Sequence, residues 1–375
     1  MILSCRLCSG VALAPMVDFG QRPIAHRLLS DPKETEEVFP LVLHVCNDCG
    51  LVQITQPINP EILYKGFNYN FSSWKPEPHL EAEIDTIMSQ GPHASAFDIG
   101  CNDGLFLEAL YKRGINTTVG LEPNPVPGSA ARDRGLSVYE SWITPEICAQ
   151  AISDNGGPFS LVVSRQVIEH VLDLDNFFAC IDILLAGDGW LFLDMPDFEL
   201  GMKTGDCSTV WEEHVSYFSK PVLAAMLHRY GFSAIQHDWY DFSSGALAVL
   251  ARRSKSEDTN MPSEAARVPD IISLAHSYGR RLANYQVELK DKLAMMRSKG
   301  AEIALYGVGV RGCCAVNGLD LSGSIDFAVD DQPERQGKFM PGSRLPIRPS
   351  AALMESDRPL VVLLAVNNEN DEKVA

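Results

Sequence analysis

The sequence lacks any apolar run long enough to cross a membrane. Its longest apolar segments, such as residues 361–366, have the length of buried strands rather than the roughly 18 or more residues of a membrane helix. No basic segment followed by a long apolar core begins the chain, so we expect no secretory signal. Positive charge is also scarce, since the chain has 31 Lys and Arg residues but 49 Asp and Glu residues. Because contacts with nucleic-acid phosphates depend on clustered Lys and Arg, the sequence argues against a nucleic-acid partner.

Length and composition are those of a globular protein with several domains. The chain has 375 residues, of which 46% are hydrophobic and 21% charged. At roughly 150 residues per domain, this length favours two or three domains. Four of the ten cysteines form two tight pairs, and the others are scattered among apolar residues. This pattern favours a reducing compartment, and therefore the cytoplasm, with one metal site rather than a disulfide framework.

Residues 1–60 predict a small metal-binding domain. Six prolines interrupt this segment and favour a loop-rich structure over helices. Two C-x-x-C knuckles supply four thiolates, which match a closed, structural zinc site of tetrahedral geometry. The four thiolates are those of Cys5, Cys8, Cys46 and Cys49. Four unconnected thiols or a redox pair are the alternatives, and His44 could compete as a ligand, although we expect it to be a neighbour.

Short apolar runs alternate with helical stretches from about residue 86 to residue 255. This alternation predicts a parallel sheet with helices on both faces. The predicted strands are residues 94–100, 117–121, 161–163 and 190–193, and the predicted helices are residues 105–113 and 176–185. Because ligands in such sheets bind beyond the carboxyl ends of the strands, the residues just after each strand are the candidates for function.

The first of these strands ends in a glycine turn that opens a helix. Its pattern, D-x-G-x-N-x-G, has a carboxylate ahead of the first glycine, which suits a cationic ligand. A dinucleotide turn would instead need G-x-G-x-x-G, with a pyrophosphate on the helix N-terminus. Glu122 ends the next strand, where a carboxylate can accept both ribose hydroxyls of an adenosine. The combination favours S-adenosylmethionine over NAD, with contacts from Asp98, Gly100, Asn102, Gly104 and Glu122.

Two further segments follow strands at the same predicted edge. Gln166 and Glu169 lie where the methionine end of the cofactor is expected, and we expect His170 to be structural, with catalysis as its alternative. His214 precedes a helix that begins after Ser219. A histidine near its usual pKa of about 6.5 can remove a proton, and the adjacent carboxylate of Glu213 can orient it. The alternative is a histidine that braces the loop through a main-chain carbonyl.

Residues 265–375 predict a long helix, residues 266–298, followed by a smaller α/β unit. Its predicted strands are residues 302–306, 325–329 and 360–365. The first strand precedes a G-x-G-x-x-G turn, residues 307–312, and Asp330 or Asp331 stands where a ribose-binding acid would, so the turn by itself is a reasonable NAD fingerprint. Residues 367–369 follow the last strand without a closing helix, which leaves open whether the chain is truncated.

Nearly the whole chain resembles the zinc-containing, S-adenosylmethionine-dependent sugar C-methyltransferases, which act on nucleotide-linked keto-deoxysugars. The resemblance is carried by the cysteine pairs, the glycine turn and the segments 213–219, 307–312, 329–333 and 337–342. It implies an α/β fold with a class I methyltransferase Rossmann-like domain at residues 61–255. A zinc-binding domain, residues 1–60, and a C-terminal Rossmann-like domain, residues 265–375, would flank it. In that family the C-terminal domain holds no cofactor and helps to enclose the substrate.

The resemblance also implies roles for individual residues. His214 would be the base, with Glu213 as its orienter, and Tyr69 would belong to an aromatic segment on the substrate side. Trp211 and Glu212 stand where the family usually has Tyr and His near the reacting sugar, and Arg311 could hold a nucleotide phosphate. The implied substrate contacts are Trp211, Glu212, Tyr217 and Arg311.

The function that this implies is a step of deoxysugar biosynthesis. The base would remove a proton next to a sugar carbonyl, and the resulting enolate would take the methyl group. O- or N-methylation of a related acceptor is one alternative, and a non-catalytic zinc scaffold is another. The expected partner is a small molecule, with no nucleic acid and no membrane. The sequence does not determine the sugar, the nucleotide, the methylated atom or the oligomeric state.

Overall fold

The computed structural model describes residues 3–64, 77–254 and 261–366 of the chain. They form three sheets, with four, seven and four strands. One continuous cluster of buried apolar side chains has members in all three parts of the chain, among them Leu43, Phe177 and Ile303. The three sheets are therefore packed against a common interior. Within the described ranges, no helix combines the length and the apolar character that a membrane span requires.

The N-terminal sheet is antiparallel and more regular than its prolines suggest. Its strands are β1 (Leu13–Pro23), β2 (Val38–Cys46), β3 (Val52–Ile54) and β9 (Ser216–Tyr217), paired in the order β1-β2-β3-β9. The expectation of a loop-rich segment is wrong here. Pro15 and Pro23 lie in β1, an edge strand, where one row of main-chain N–H groups needs no partner. The register between β1 and β2 also shifts directly after Pro15.

The central sheet has seven strands in the order β10-β11-β8-β7-β4-β5-β6. Its strands are β4 (Ser95–Ile99), β5 (Thr117–Leu121), β6 (Ser137–Tyr139), β7 (Phe159–Arg165), β8 (Leu185–Pro196), β10 (Phe232–Tyr240) and β11 (Ala246–Arg253). Neighbours from β6 to β8 are parallel, whereas β11 is antiparallel to both β8 and β10. This is the class I methyltransferase fold that the sequence predicts. The strand order reverses between β4 and β7, which is where such sheets form a ligand crevice.

Short helices connect these strands. They are α1 (Pro60–Leu63), α2 (Leu80–Met88), α3 (Leu105–Lys112), α4 (Pro125–Asp133), α5 (Pro145–Asn155), α6 (Leu174–Leu184), α7 (Glu199–Thr204) and α8 (Lys220–Arg229). Polar side chains cap the N-termini of several helices. The side chain of Asn124 accepts a hydrogen bond from the main-chain N–H of Val126, and that of Asp173 accepts one from the main-chain N–H of Asn176. A short 3-10 helix, Ile168–His170, follows β7. It places the segment after β7 at the crevice.

A long helix links the central sheet to the C-terminal one. Helix α9 (Val268–Ser298) is followed by β12 (Glu302–Tyr306), α10 (Val310–Gly318), β13 (Phe327–Val329), β14 (Ile347–Arg348) and β15 (Leu360–Leu364). The last sheet is parallel, in the order β14-β13-β12-β15. Tyr278, fully buried on α9, donates a hydrogen bond to the main-chain oxygen of Asp206 at 2.9 Å. Helix α9 therefore packs against the central part as well as the C-terminal sheet.

Strand β9 connects the central part of the chain to the N-terminal sheet. It pairs with β3, with Tyr217 opposite Val52 and Ser216 opposite Gln53. Because β9 begins two residues after His214, the N-terminal sheet holds one end of the loop that carries this histidine.

Candidate active site and zinc site

The four knuckle cysteines lie together in the N-terminal part. The Sγ atoms of Cys5 and Cys49 are 3.5 Å apart, as are those of Cys8 and Cys46, and all four lie within 4.8 Å of one another. Zinc bound to four thiolates at about 2.3 Å in a tetrahedron would separate the sulfurs by roughly 3.8 Å. The cluster fits a structural zinc ion. His44 instead lies 3.2 Å, through Nδ1, from the hydroxyl of Thr55, as expected for a neighbour rather than a ligand.

The glycine turn after β4 has the backbone that a close ligand approach requires. Gly100 has φ +80°, and a Cβ atom there would lie 2.4 Å from Cγ2 of Val167. Gly104 has φ +77° and precedes α3, while Asn102 has φ +49°. The main-chain N–H of Gly100 donates to Leu121 at the end of β5. The turn is thus fixed to the neighbouring strand, and its first glycine faces the segment after β7.

Two carboxylates flank this turn, as the sequence predicts. Asp98 is buried, and its Oδ1 has no hydrogen-bond partner among the described residues. Burial raises the pKa of Asp98 to about 7. Glu122, also buried, accepts hydrogen bonds from the main-chain N–H groups of Asn102 and Asn124, at 3.0 and 2.8 Å. A buried carboxylate oxygen without a partner is costly, so it fits a site whose ligand supplies a donor or a positive charge.

Gln166 lies at the same edge of the sheet. It has φ +52°, its main-chain N–H donates to the carbonyl of Asp194, and its side-chain amide donates to Oδ2 of Asp194 at 2.9 Å. Asp194 ends the pairing of β8 with β7. The predicted contact Gln166 is therefore held by β8, next to Val167 and the glycine turn.

His214 is buried beside aromatic and imidazole rings. Its side chain is 5% exposed, and its ring centroid lies 3.8 Å from that of Trp211 and 4.9 Å from that of His170. Burial, and secondarily the nearby His170, lower the pKa of His214 well below its usual value. The imidazole is thus neutral at physiological pH, which is the form that can accept a proton.

The structure corrects the expected environment of Glu213. Its Oε1 lies 2.9 Å from Nδ1 of His26, so its carboxylate faces the segment after β1 instead of serving His214 as predicted. Glu169 is the carboxylate beside His214: one of its oxygens and a ring nitrogen of each of His170 and His214 lie within 4.8 Å of one another. Both Glu169 oxygens are buried without a hydrogen-bond partner in the described part of the chain. Burial raises the pKa of Glu169 well above its usual value.

The remaining loop residues are held by hydrogen bonds to other parts of the chain. Glu212 accepts from the main-chain N–H of Ala25 at 2.7 Å, and the hydroxyl of Tyr217 donates to the main-chain oxygen of Trp211 at 3.2 Å. His170 lies 3.0 Å, through Nδ1, from the main-chain oxygen of Glu213, and burial lowers its pKa to about 4. The predicted contacts Trp211, Glu212 and Tyr217 therefore belong to one tightly bonded loop. Tyr69, the other predicted catalytic residue, lies outside the described residues.

In the glycine turn of the C-terminal sheet, Asp330 is bonded to residues of the same sheet region. Asp330 accepts from the main-chain N–H of Val308 at 2.8 Å and pairs with Arg335 at 3.0 Å. Arg311, in the first turn of α10, hydrogen-bonds the hydroxyls of Ser208 and Ser244 in the central part. Of the two candidate ribose-binding acids, Asp330 is thus bonded within its own turn, and Asp331 accepts from the hydroxyl of Tyr306. Arg311 connects α10 to the loops of the central domain.

Three family models match consecutive parts of the chain. They are a zinc binding domain at residues 5–64, a methyltransferase domain at residues 78–237 and a C-methyltransferase C-terminal domain at residues 244–372. The C-methyltransferase NovU of Streptomyces niveus is 26% identical over 357 residues, which cover 92% of this chain and 84% of that protein.

Other similar proteins match a smaller part of the chain. The ubiquinone biosynthesis O-methyltransferase of Colwellia psychrerythraea is 29% identical over 119 residues, or 30% of this chain and 47% of that protein. The N-methyltransferase NodS of Bradyrhizobium japonicum, solved with S-adenosyl-L-homocysteine, covers 50% of this chain and 94% of its own, with 15% identity and a TM-score of 0.38. The strand order of the central sheet and the three consecutive domain matches together identify the chain as an S-adenosylmethionine-dependent C-methyltransferase with a structural zinc site.

Proposed function

We propose that the enzyme methylates a carbon atom next to the keto group of a nucleotide-linked sugar, with His214 as the base. The observation that carries this proposal is the buried imidazole of His214, whose ring lies 4.9 Å from that of His170 on the segment that faces the glycine turn through Val167. The domain match to C-methyltransferases and the family resemblance support carbon as the acceptor and a sugar nucleotide as its carrier. The resemblance is that of residues 213–219, 307–312, 329–333 and 337–342. We place this reaction in the reducing cytoplasm, where the cysteines of the described residues, none of which forms a disulfide bond, would stay reduced.

The chemistry explains why a base is needed. A carbon atom has no lone pair with which to accept a methyl group, so the acidic proton next to the carbonyl must leave first. The bound S-adenosylmethionine supplies an electrophilic methyl group on a cationic sulfur. His214 would remove the proton through a ring nitrogen, which lies within 4.8 Å of a Glu169 oxygen.

The cofactor would be held by the residues around the first glycine turn. Asp98 would face its positive charge, and Glu122 its ribose hydroxyls, while Gly100, Asn102 and Gly104 let the main chain approach and Gln166 closes the methionine end. Trp211, Glu212 and Tyr217 would shape the acceptor side, and Arg311 would reach a phosphate of the substrate only by leaving its present serine partners.

Methylation of oxygen or nitrogen is the competing function. A hydroxyl acceptor needs less help from a base, and some similar proteins, such as the Colwellia enzyme, are O-methyltransferases. The match to the Colwellia enzyme covers 30% of this chain, whereas the match to the C-methyltransferase NovU covers 92% of it. The acceptor atom is therefore better indicated by the C-terminal domain, which favours carbon.

Product analysis tests this proposal. The protein is incubated with methyl-¹³C-labelled S-adenosylmethionine and a nucleotide-linked keto-deoxysugar, and the product is examined by ¹H–¹³C NMR. We expect a carbon-bound methyl signal, which His214→Asn abolishes while the affinity for S-adenosylhomocysteine is kept. His228→Asn, in α8 and outside this ring cluster, serves as the matched control and should retain turnover. A methoxy or N-methyl signal would overturn the assignment to carbon, and turnover by His214→Asn would remove His214 as the base.

A further inference from the structure

The first zinc knuckle contacts the loop that carries His214. Arg6, between the zinc ligands Cys5 and Cys8, donates from its guanidinium to the main-chain oxygen of Val215 at 2.9 Å. The same oxygen accepts a second hydrogen bond, at 3.0 Å, from the main-chain N–H of Ile54. Val215 directly follows His214. The main chain next to the proposed base is thus bonded twice to the N-terminal domain, once to the zinc knuckle and once to β3.

Arg6 is itself fixed by a buried glutamine. Its main-chain N–H donates to Oε1 of Gln53 at 3.0 Å, and the amide nitrogen of Gln53 donates to the main-chain oxygen of Ser4 at 3.2 Å. Gln53 is only 1% exposed and lies in β3, opposite Ser216 of β9. The knuckle, β3 and β9 therefore form one hydrogen-bonded unit.

The other side of the loop is bonded to the segment after β7, which faces the glycine turn. The main-chain N–H of Val215 donates to the main-chain oxygen of Glu169 at 2.8 Å, and His170 bonds the main-chain oxygen of Glu213. The loop is consequently held between two fixed points. One is the zinc knuckle, and the other is the 3-10 helix after β7.

We propose that Arg6 is a positioning residue through which the zinc site sets the place of His214. This inference rests on the proposed function, since it assumes that His214 is the base. A four-ligand zinc site fixes the main chain of the knuckle, and the knuckle fixes the origin of the Arg6 side chain. A displacement of about 1 Å at a catalytic group can cost roughly 100-fold in rate. Zinc would then matter for catalysis as well as for stability, although it touches no reacting atom.

Hydrogen exchange followed by mass spectrometry tests the coupling without any substrate. We expect Arg6→Gln to bind zinc and S-adenosylhomocysteine as the native protein does, while the amides of residues 211–217 and of Ile54 exchange faster. Leu7→Ala is the matched control, because it removes a buried side chain from the same knuckle but leaves the Arg6 bond in place. Equal loosening of residues 211–217 by both variants would mean general weakening of the knuckle and would overturn the proposal.

Stepwise removal of zinc from the native protein provides a second measurement that needs no variant. We expect residues 211–217 to lose protection together with the knuckle peptides, while strand β5 of the central sheet stays protected. Continued protection of residues 211–217 after the knuckles have opened would overturn the proposal.

Steady-state kinetics distinguishes a positioning role of Arg6 from a purely structural one through separate effects on kcat and KM. We expect Arg6→Gln to lower kcat by about 10- to 100-fold with little change in KM for the cofactor, and Arg6→Lys to recover part of it, because an ammonium can also donate to the carbonyl of Val215. Unchanged kcat in zinc-loaded Arg6→Gln would overturn the proposal. If the native protein methylates no keto sugar, the proposed function has failed, and the exchange experiments still decide whether the knuckle holds the loop.

Discussion

Cofactor affinity should rise with pH through the ionisation of Asp98. Burial raises the pKa of this carboxyl to about 7, and the charge of Arg165 offsets only part of that shift. S-adenosylmethionine carries a positively charged sulfonium, so it should bind the carboxylate form and not the acid. If binding requires the ionised form, the apparent Kd is multiplied by one plus the ratio of acid to carboxylate. For a pKa of about 7, this makes binding about tenfold weaker at pH 6 than at pH 8.

Calorimetric titration with S-adenosylmethionine at pH 6, 7 and 8 and constant ionic strength measures this effect. Asp98→Asn removes the charge-assisted contact, worth about 2 kcal/mol or roughly thirtyfold in Kd, and should remove the pH dependence as well. Asp188→Asn, at an exposed position in β8, is the control and should keep the native profile. Equal affinities of the native protein at pH 6 and pH 8 would refute the assignment of Asp98 to the cation.

Three further outcomes are expected. Gly100→Ala should lower stability by about 1–3 kcal/mol in thermal unfolding and weaken cofactor binding, because Gly100 has φ +80° and a Cβ atom there would lie 2.4 Å from Val167. Gly91→Ala is the control: Gly91 has φ +110° but open space around it, so this variant should lower stability without changing cofactor binding. Cys46→Ser should lose the zinc found by elemental analysis, whereas Cys148→Ser, in α5, should keep it. Arg311→Met removes the bonds to Ser208 and Ser244 and should raise KM for the acceptor in steady-state assays while Kd for S-adenosylhomocysteine stays native.

The parts of the site that depend on short patterns could be predicted from the sequence. Each C-x-x-C knuckle brings two thiols together within four residues, and the chain contains only two such motifs. The glycine turn likewise combines a strand end, a positive-φ glycine and a helix start within seven residues, and the structure has the turn at Asp98 to Gly104 as expected. Local sterics determine such elements, so a single sequence is enough to find them.

Contacts between distant segments could not be predicted in the same way. Glu213 lies against His26, which is 187 residues away, and no pattern near either residue indicates that pairing. Adjacency in the sequence favours Glu213 as the partner of His214, but Glu213 lies in a turn closed by the bond from the N–H of His214 to the main-chain oxygen of Trp211, and adjacency does not determine where side chains in a turn point. The sequence indicates Glu169 only as a cofactor contact, because its position beside His214 depends on how the segment after β7 meets the loop before β9.

The N-terminal strands were missed for a related reason. Proline indicates loops in the interior of a sheet, but not in an edge strand such as β1 or in residues 38–42 of β2, which pair with β1 only. Whether a strand is at an edge depends on which strands pair with it. The sequence of residues 13–23 alone contains no information about that pairing.

His214 is proposed to remove a proton from carbon, and isotope wash-in measures this step directly. The keto sugar nucleotide is incubated in D₂O with the enzyme and S-adenosylhomocysteine, which has no methyl group to transfer, and the sugar is followed by ¹H NMR. We expect the native protein to replace the proton next to the carbonyl with deuterium and His214→Asn to leave it in place. Equal exchange in both proteins would contradict the account.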